Sequence, residues 1–254
     1  MILTAGTAVL LTGIAMNVIF RIQRYNPETD TGPRFQDFPV DVEPTDRLLD
    51  ALMFIKRTID GTLSFRKSCA HGICGSDAMI INGVERLACK TLVQDVATEE
   101  NAVVTFEPLK SLPVQRDLMV DYDRFFGAYR KVKPYLVPKE SAPEAERVQT
   151  PADRSRFEDP TKCILCAACY SACPIVQRGT PWLGPAAIVQ AARFVFDSRD
   201  EGIEPRLDVL DRPDGVWPCE SLLECTRVCP RGIKVTKNIN LTKREIKTFK
   251  GEKP

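Results

Sequence analysis

The sequence predicts an α+β chain in which a small mixed α+β domain precedes a mainly α-helical domain. Three observations predict this class. Apolar and polar residues alternate with the period of strands only in the first half of the chain, a segment rich in Pro, Glu, Ala and Ser follows at 138–151, and clustered cysteines dominate the remainder. A chain of 254 residues is also long enough for two domains that each bury a core.

The first elements form a predicted β-hairpin. Apolar and polar residues alternate over 18–24, the residues Asp30, Gly32 and Pro33 favour a turn, and a second extended segment follows at 35–40. We expect these consecutive strands to lie side by side and pair with each other.

A helix is predicted after the hairpin. Thr45 is a suitable N-cap, and Gly61 lies where the chain must turn away from the end of the helix. The apolar residues that recur at helical spacing between them are Leu48, Leu49, Leu52, Ile55 and Ile59.

Three short strands complete the first domain. The segments 79–81 and 84–88 flank Asn82-Gly83, a dipeptide that favours a tight hairpin turn, and 103–106 supplies another strand. We assign the first domain to residues 17–116.

The rest of the chain is predicted to be helical. A helix is expected over 117–130, and together with the linker it makes up an intermediate segment, 117–150. The helical domain covers 151–254 and contains one clear helix that opens at Gly184-Pro185.

Residues 1–16 form an apolar extension without a charged side chain. Because the strand pattern begins near Val18, too few apolar residues remain to span a bilayer, and no basic residues precede them as they would in a signal peptide. Two interpretations stay open: a short interfacial extension, or a start codon assigned too early with Met16 as the initiator.

The composition excludes some classes of function. The 35 Lys and Arg residues nearly balance the 34 Asp and Glu residues, so the charge gives no indication of nucleic-acid binding. Ten cysteines could form disulfides, but the chain is far larger than the small secreted scaffolds that depend on them. Metal ligation in a reducing compartment is the favoured interpretation.

The first cysteine group is Cys69-x4-Cys74-x2-Asp77-x11-Cys89. This is the spacing of plant-type [2Fe-2S] ferredoxins, except that Asp77 takes the place of the third cysteine. A carboxylate is a hard anionic ligand that can bind iron, so these four residues are the predicted ligands of a two-iron cluster. The alternative is that Asp77 only forms hydrogen bonds or faces solvent and that the cluster takes another ligand.

The loop around this group supports the same interpretation. Gly72 and Gly75 allow backbone N–H groups to approach the cluster sulfurs closely. His71 is the only histidine, and a Rieske centre needs two, so His71 is interpreted as a loop residue.

The strongest pattern is a bacterial ferredoxin run that ends in Cys-Pro, followed by a second run that also ends in Cys-Pro. In the second run Leu222 stands where the middle cysteine is expected. The last cysteine of each run ligates the cluster of the other run in such proteins. Crossing them gives four thiolates for a [4Fe-4S] cluster, Cys163, Cys166, Cys169 and Cys229, and three thiolates for the other cluster, Cys173, Cys219 and Cys225.

The three-thiolate set predicts a [3Fe-4S] cluster, because Leu222 has no donor atom for a fourth iron. A labile four-iron cluster completed by water or an outside ligand is the alternative. Zinc also binds Cys-x2-Cys pairs, but it does not account for the Cys-Pro endings or for the x4 loop. The sequence has no dinucleotide fingerprint, P-loop or Ser/His/Asp arrangement.

The order and spacing of these groups resemble the iron-sulfur subunits of succinate dehydrogenase and fumarate reductase. The resemblance covers 18–239 and includes the segments RYNPETD, SFRKSCAHGICGSDAMIINGVERLACK, CILCAACYSACP, LGPAAI and GVWPCESLLECTRVCPRGI. It implies a β-grasp, plant-ferredoxin-like first domain and a helical, bacterial-ferredoxin-like second domain. The presence of Asp77 in place of the more usual cysteine resembles a variant found in bacterial members of the family.

The resemblance also implies the electron path and the partners. Electrons would pass from an FAD-containing flavoprotein subunit, which oxidises succinate, through the two-iron, four-iron and three-iron clusters to quinone. The quinone would bind at a membrane anchor, with or without haem, and the chain would be peripheral on the cytoplasmic face of a bacterial inner membrane. Fumarate reduction in the reverse direction and a carrier for another flavoprotein are the alternatives.

The quinone end departs from the common family pattern. The aromatic residues that often follow the matching Cys-Pro are absent here, and Glu220 stands where dehydrogenases often have His. The residues expected in the quinone vicinity are Pro174, Arg178, Trp182 and Leu222. Trp182 is equally compatible with a place in the core or at the anchor interface.

Overall fold

The computed structural model describes residues 15–138 and 145–252 of the chain. The predicted apolar extension at 1–16 therefore lies almost wholly outside the described residues, as does part of the predicted linker. The described residues form a mixed sheet followed by helices, which confirms the α+β class.

The sheet has five strands in the order β2-β1-β5-β3-β4. The neighbouring strands β1 and β5 are parallel, and every other neighbouring pair is antiparallel. The strands are β1 (Met16–Arg24), β2 (Arg34–Val42), β3 (Ala78–Ile81), β4 (Val84–Leu87) and β5 (Ala102–Glu107). The predicted hairpins are thus confirmed.

Residue chemistry explains the two hairpins. Val18, Phe20 and Ile22 are fully buried on one face of β1, as the alternation predicts. Asn82 and Gly83, which join β3 to β4, both have positive φ, +48° and +75°. Two consecutive positive φ values define the tight turn that Asn-Gly favours.

The helix α1 (Leu48–Phe54) follows β2 and continues into one wider, π-helical turn at Ile55–Ile59. The expected cap at Thr45 is wrong, because the helix begins three residues later. Its first two amides instead donate to the backbone carbonyls of Thr91, at 3.0 Å, and Ala88, at 3.1 Å. The segment around the last two-iron cysteine therefore satisfies the open N–H groups of α1.

The helix expected over 117–130 is also wrong in its first turn. Asp117 has a φ of +47°, and its carboxylate accepts the backbone N–H groups of Tyr25, at 2.9 Å, and Ser64, at 2.8 Å. These bonds hold a small hairpin where the apolar spacing alone suggested helix. The helix α2 begins later and covers Asp123–Lys131.

The second half contains helices and no strand within its described residues. Thr150 caps the first of them, since its hydroxyl accepts the N–H of Asp153 at 3.1 Å. The helix predicted at Gly184-Pro185 is confirmed. The elements not yet named are β6 (Val114–Arg116), β7 (Met119–Val120), α3 (Pro151–Phe157), α4 (Ala168–Ser171), α5 (Pro174–Gln177), α6 (Pro185–Val195), α7 (Ile203–Leu210), α8 (Glu224–Arg227) and α9 (Val235–Phe249).

The two halves share a buried polar contact. The hydroxyl of Ser171 on α4 donates to the carboxylate of Glu85 on β4 at 2.8 Å and accepts the N–H of Lys110 at 2.8 Å. Ser171 is fully buried and Glu85 is 8% exposed. Phe125 packs edge-on against Tyr170 beside it, with ring centroids 5.6 Å apart. These contacts dock the cysteine-rich helices on the sheet domain.

Candidate metal centres

The loop between Cys69 and Asp77 curls around the first of its sulfurs. Ala70, Gly72 and Gly75 all have positive φ, and only such a path turns successive N–H groups inward. The thiol of Cys69 lies at the centre of this curl.

Backbone donors converge on Cys69. Its Sγ accepts the N–H of His71 at 3.4 Å and the N–H of Cys74 at 3.3 Å. These hydrogen bonds, that of His71 first, lower the pKa of Cys69 to about 6. The same donors would withdraw charge from a metal-bound sulfur.

Asp77 is buried beside Cys89, as an iron ligand at the third position requires. The carboxylate is 2% exposed, and its Oδ2 accepts the N–H of Cys89 at 2.5 Å. Its Oδ1 is buried and has no hydrogen-bond partner among the described residues. A buried carboxylate oxygen without a partner is costly, and a bound iron would compensate for it.

Cys89 has the opposite electrostatic environment to Cys69. Burial first, and the neighbouring Asp77 carboxylate next, raise the pKa of the Cys89 thiol to about 12. The thiol therefore stays protonated beside the carboxylate until a cation replaces the proton, so this pair also fits a metal.

The second group of cysteines surrounds a cavity in the helical half. It is bounded by apolar side chains of α6 and α9 and by the loops that carry the sulfurs. The cysteines that line it are Cys163, Cys166, Cys169 and Cys229. Three come from the first run and one from the second, as the crossing predicts.

Burial raises the thiol pKa values around this cavity. The pKa of Cys166 rises to about 12, and that of Cys169 rises well above its usual value. These thiols stay protonated until a cation replaces the protons, so metal binding here is coupled to proton release.

A third group surrounds a separate cavity. Its cysteines are Cys173, Cys219 and Cys225, two from the second run and one from the first. The hydroxyl of Thr236 on α9 lies 3.4 Å from the Cys225 sulfur. Thr236 lies outside the cysteine runs, so no motif indicates it, and the sequence analysis missed it.

The backbone places Leu222 in register with Cys166. In the first run the residues on either side of Cys166, Leu165 and Ala167, have φ of +54° and +63°. In the second run the residues on either side of Leu222, Ser221 and Leu223, have φ of +58° and +66°. The two loops share one conformation, and the cavity that Leu222 lines lacks a fourth sulfur at that position.

The predicted quinone residues lie around the three-cysteine cavity to different extents. Pro174, Trp182 and Leu222 line it. Arg178 does not line it; its guanidinium instead pairs at 3.0 Å with the carboxylate of Glu220, which does. The indole N–H of Trp182 is buried and has no partner among the described residues.

The cysteines surround cavities, and they do not converge on single points. Among residues 15–138 and 145–252, no three His, Cys, Asp or Glu side chains form a group of the size that holds one metal ion. Over the same ranges, none of the helices combines the length and apolar character that crossing a bilayer needs.

Two families match the chain. Residues 19–127 match the "2Fe-2S iron-sulfur cluster binding domain", and residues 159–233 match the "4Fe-4S dicluster domain". The boundary between the two matches falls in the segment that links the sheet to the helices.

Similar proteins cover nearly the whole chain. The fumarate reductase iron-sulfur subunit of Mycobacterium tuberculosis is 43% identical over 218 residues, which span 85% of this chain and 87% of the relative. The succinate dehydrogenase iron-sulfur subunit of Coxiella burnetii is 40% identical over 230 residues, 89% of this chain and 96% of the relative.

A solved structure has the same architecture. A chain of the Mycobacterium smegmatis Sdh1 complex in the apo form matches with a TM-score of 0.83 and 28% identity, over 94% of this chain and 98% of that one. Since sequence, cysteine arrangement and fold agree, the chain belongs to the family of iron-sulfur subunits of succinate dehydrogenase and fumarate reductase.

Proposed function

We propose that this chain is the electron-transfer subunit of a succinate:quinone oxidoreductase. It carries electrons from a flavin-containing subunit through a [2Fe-2S], a [4Fe-4S] and a [3Fe-4S] cluster to quinone. The observation that carries the proposal is the crossed lining of two separate cavities, one with four cysteines and one with three. A carrier with consecutive centres needs such separate sites.

Fumarate reduction is the second candidate, and a specific observation favours it. The chain is similar to a fumarate reductase subunit at 43% identity and to a succinate dehydrogenase subunit at 40%. The direction depends on the reduction potentials of the complex, which a redox titration measures.

The proposed ligands follow the cavities and the two-iron loop. Cys69, Cys74, Asp77 and Cys89 hold the [2Fe-2S] cluster. The two cavities hold the other clusters through the following residues: Cys163, Cys166, Cys169 and Cys229 for [4Fe-4S], and Cys173, Cys219 and Cys225 for [3Fe-4S]. The buried unpaired Oδ1 of Asp77 supports its place in the first set.

The clusters supply the one-electron redox chemistry when bound. The chain supplies ligands, hydrogen bonds and shielding from water. The N–H groups of His71 and Cys74 stabilise negative charge on the Cys69 sulfur, which raises the potential of a cluster bound there. The apolar lining of the four-cysteine cavity, which includes Val189 and Ile233, limits solvent access.

The proposed partners are an FAD-containing flavoprotein subunit and a membrane anchor, with or without haem. Quinone is the proposed acceptor, near Pro174, Trp182, Leu222 and the more distant Arg178. Leu222 is an apolar side chain that is 46% exposed beside the three-cysteine cavity, which supports contact with another subunit there. We place the chain peripherally on the cytoplasmic face of a bacterial plasma membrane, held by these partners.

We further propose that the first domain, 17–116, is a β-grasp domain of the plant ferredoxin type. The parallel pairing of β1 with β5, and the helix α1 between β2 and β3, support this assignment. The segment 117–150 links it to the helical domain at 151–254.

Electron paramagnetic resonance tests the cluster content. The complex is purified without oxygen, analysed for iron and sulfide, and measured as isolated and after stepwise reduction. We expect an oxidised three-iron signal that disappears on mild reduction, and then a two-iron signal. Zinc without sulfide would replace this proposal with a zinc-stabilised interaction module, and four-iron signals alone would contradict the ligand assignment.

A further inference from the structure

Gly75 lies where the two-iron loop touches the loop of the four-cysteine cavity. It follows Cys74 directly and has a φ of +67°. A Cβ atom placed on Gly75 would lie 2.6 Å from the Cβ of Cys166 and 3.0 Å from its Cα. Carbon atoms do not approach so closely, so the glycine permits a contact that any side chain would prevent.

The atoms that face Gly75 cannot turn aside. Besides Cys166, the carbonyl oxygen of Ile164 would lie 3.3 Å from the added carbon. Cys166 is 8% exposed and sits between two residues of positive φ, Leu165 and Ala167. Because the obstacle is backbone and a ligand side chain, a larger residue at position 75 must push the two loops apart.

The two loops lie face to face beside this contact. An open crevice beside the contact is lined by Cys74, Gly75 and Ser76 from one loop and by Leu165 from the other. The bond from Ser171 to Glu85 fixes the two domains at another point. The loops therefore have a defined separation.

We propose that the missing side chain of Gly75 sets the separation of the two-iron and four-iron clusters, and with it the rate of electron transfer between them. Gly75 is thus a positioning residue, and the inference rests on the proposed function. One electron leaves the reduced [2Fe-2S] cluster and enters the oxidised [4Fe-4S] cluster, and no bond or proton changes place. Tunnelling rates fall exponentially with distance, so a small displacement slows this step.

A matched control separates spacing from backbone strain. Gly83, in the turn between β3 and β4, has a φ of +75°, and a Cβ placed on it would meet nothing within 4 Å. Gly83→Ala therefore introduces the same type of strain as Gly75→Ala without the contact.

The experiment compares the two variants in the assembled complex. It measures the iron content and potential of each cluster, the relaxation enhancement of the two-iron signal by the reduced four-iron cluster, and the arrival of electrons at the four-iron cluster after succinate is mixed. For Gly75→Ala we expect all clusters present, weaker enhancement and several-fold slower arrival. Gly83→Ala is expected to match the wild type.

Two results would overturn the spacing role of Gly75. Unchanged enhancement and arrival in a fully loaded Gly75→Ala complex would overturn it. If this variant loses the two-iron cluster, Gly75→Asn repeats the test, because Asn tolerates positive φ. Loss of the two-iron cluster in both variants, with Gly83→Ala intact, would show that Gly75 is required for the cluster to form and would overturn the spacing role. A wild-type complex without these clusters would instead contradict the proposed function.

Discussion

Asp77 combines two features that are rarely stable together in a protein interior. Its carboxylate is buried, and one of its oxygens has no partner among the described residues. Desolvation of a charged group that lacks a partner is unfavourable by several kcal/mol or more, so such a group is usually retained for a function. The proposed iron ligation would supply the missing partner.

Two substitutions test this role of Asp77. We expect Asp77→Cys to keep a two-iron cluster, because a thiolate also binds iron, with a changed signal and potential. Asp77→Ala removes the carboxylate that would bind iron. We expect a many-fold lower occupancy of the two-iron cluster, or a cluster in which another ligand replaces the carboxylate. Redox titration followed by electron paramagnetic resonance measures both. A two-iron signal and potential in Asp77→Ala identical to those of the wild type would show that Asp77 is no ligand.

Leu222 is the residue that sets the iron count of the three-cysteine cavity in our proposal. Because its backbone repeats the conformation around Cys166, the substitution Leu222→Cys would present a fourth thiolate in the ligand position. We expect the oxidised three-iron signal to be lost and a four-iron signal to appear on reduction. The control is Leu223→Cys, because the side chain of Leu223 is more exposed than that of Leu222. This variant should keep the three-iron signal. An intact three-iron signal in both variants would contradict the register.

At the scale of elements, a buried ionic group joins β1, the end of the α1 segment and the β6–β7 hairpin. Arg24 on β1 donates to Asp60 at 2.6 Å and lies 3.1 Å from the carboxylate of Asp117. Asp60 also accepts the hydroxyl and N–H of Thr62, at 2.6 Å and 2.9 Å. The network fixes the ends of three elements around one guanidinium.

This network predicts how stability depends on pH. The Thr62 hydroxyl first, and Arg24 next, lower the pKa of Asp60 from 3.8 to about 2. Because the folded-state pKa is depressed, the carboxylate stabilises the fold above about pH 4, and this contribution is lost as the pH falls toward 2.

Asp60→Asn tests the pH dependence. Hydrogen bonds to charged groups contribute about 1.5–3 kcal/mol, so at neutral pH we expect a destabilisation of that order. The difference between the urea midpoints of the two proteins, followed by circular dichroism from about pH 6 to pH 3, should narrow toward the acid end. Asp50→Asn, at an exposed site in α1, is the control. A constant difference across this range would exclude the carboxylate as its source.

At the scale of the molecule, the crossed cysteines tie the two runs together. Cys173 lies four residues after Cys169 in the same run but lines the other cavity, whereas Cys229 from the second run lines the first cavity. Each cavity therefore needs both runs folded, and clusters bound there would join segments that are more than forty residues apart in sequence.

A pair of serine substitutions tests this crossing. Cys229→Ser is expected to abolish or convert the four-iron cluster while the three-iron signal stays. Cys173→Ser is expected to alter the three-iron signal while the four-iron cluster stays. Both should reduce the rate of quinone reduction by succinate at least several-fold, because the chain of centres is interrupted. Effects on the opposite clusters would mean that each run holds its own cluster.

The sequence by itself determined the strands of the first domain, the Asn-Gly turn, the helix at Gly184-Pro185 and the grouping of the cysteines. These features depend on residues close together in the chain, where periodicity, backbone φ and ligand spacing act directly. The cavities bring together the cysteine sets that the crossed spacing predicts.

Only the tertiary structure decided features that join distant segments. The amides of Leu48 and Leu49 are capped by the carbonyls of Thr91 and Ala88, which flank Cys89, so the expected cap at Thr45 was wrong. Asp117 leaves the helical pattern because its carboxylate binds two remote amides. The contact of Gly75 with Cys166 likewise exists only when both domains pack, since the free energy of such contacts comes from groups that the local sequence does not contain.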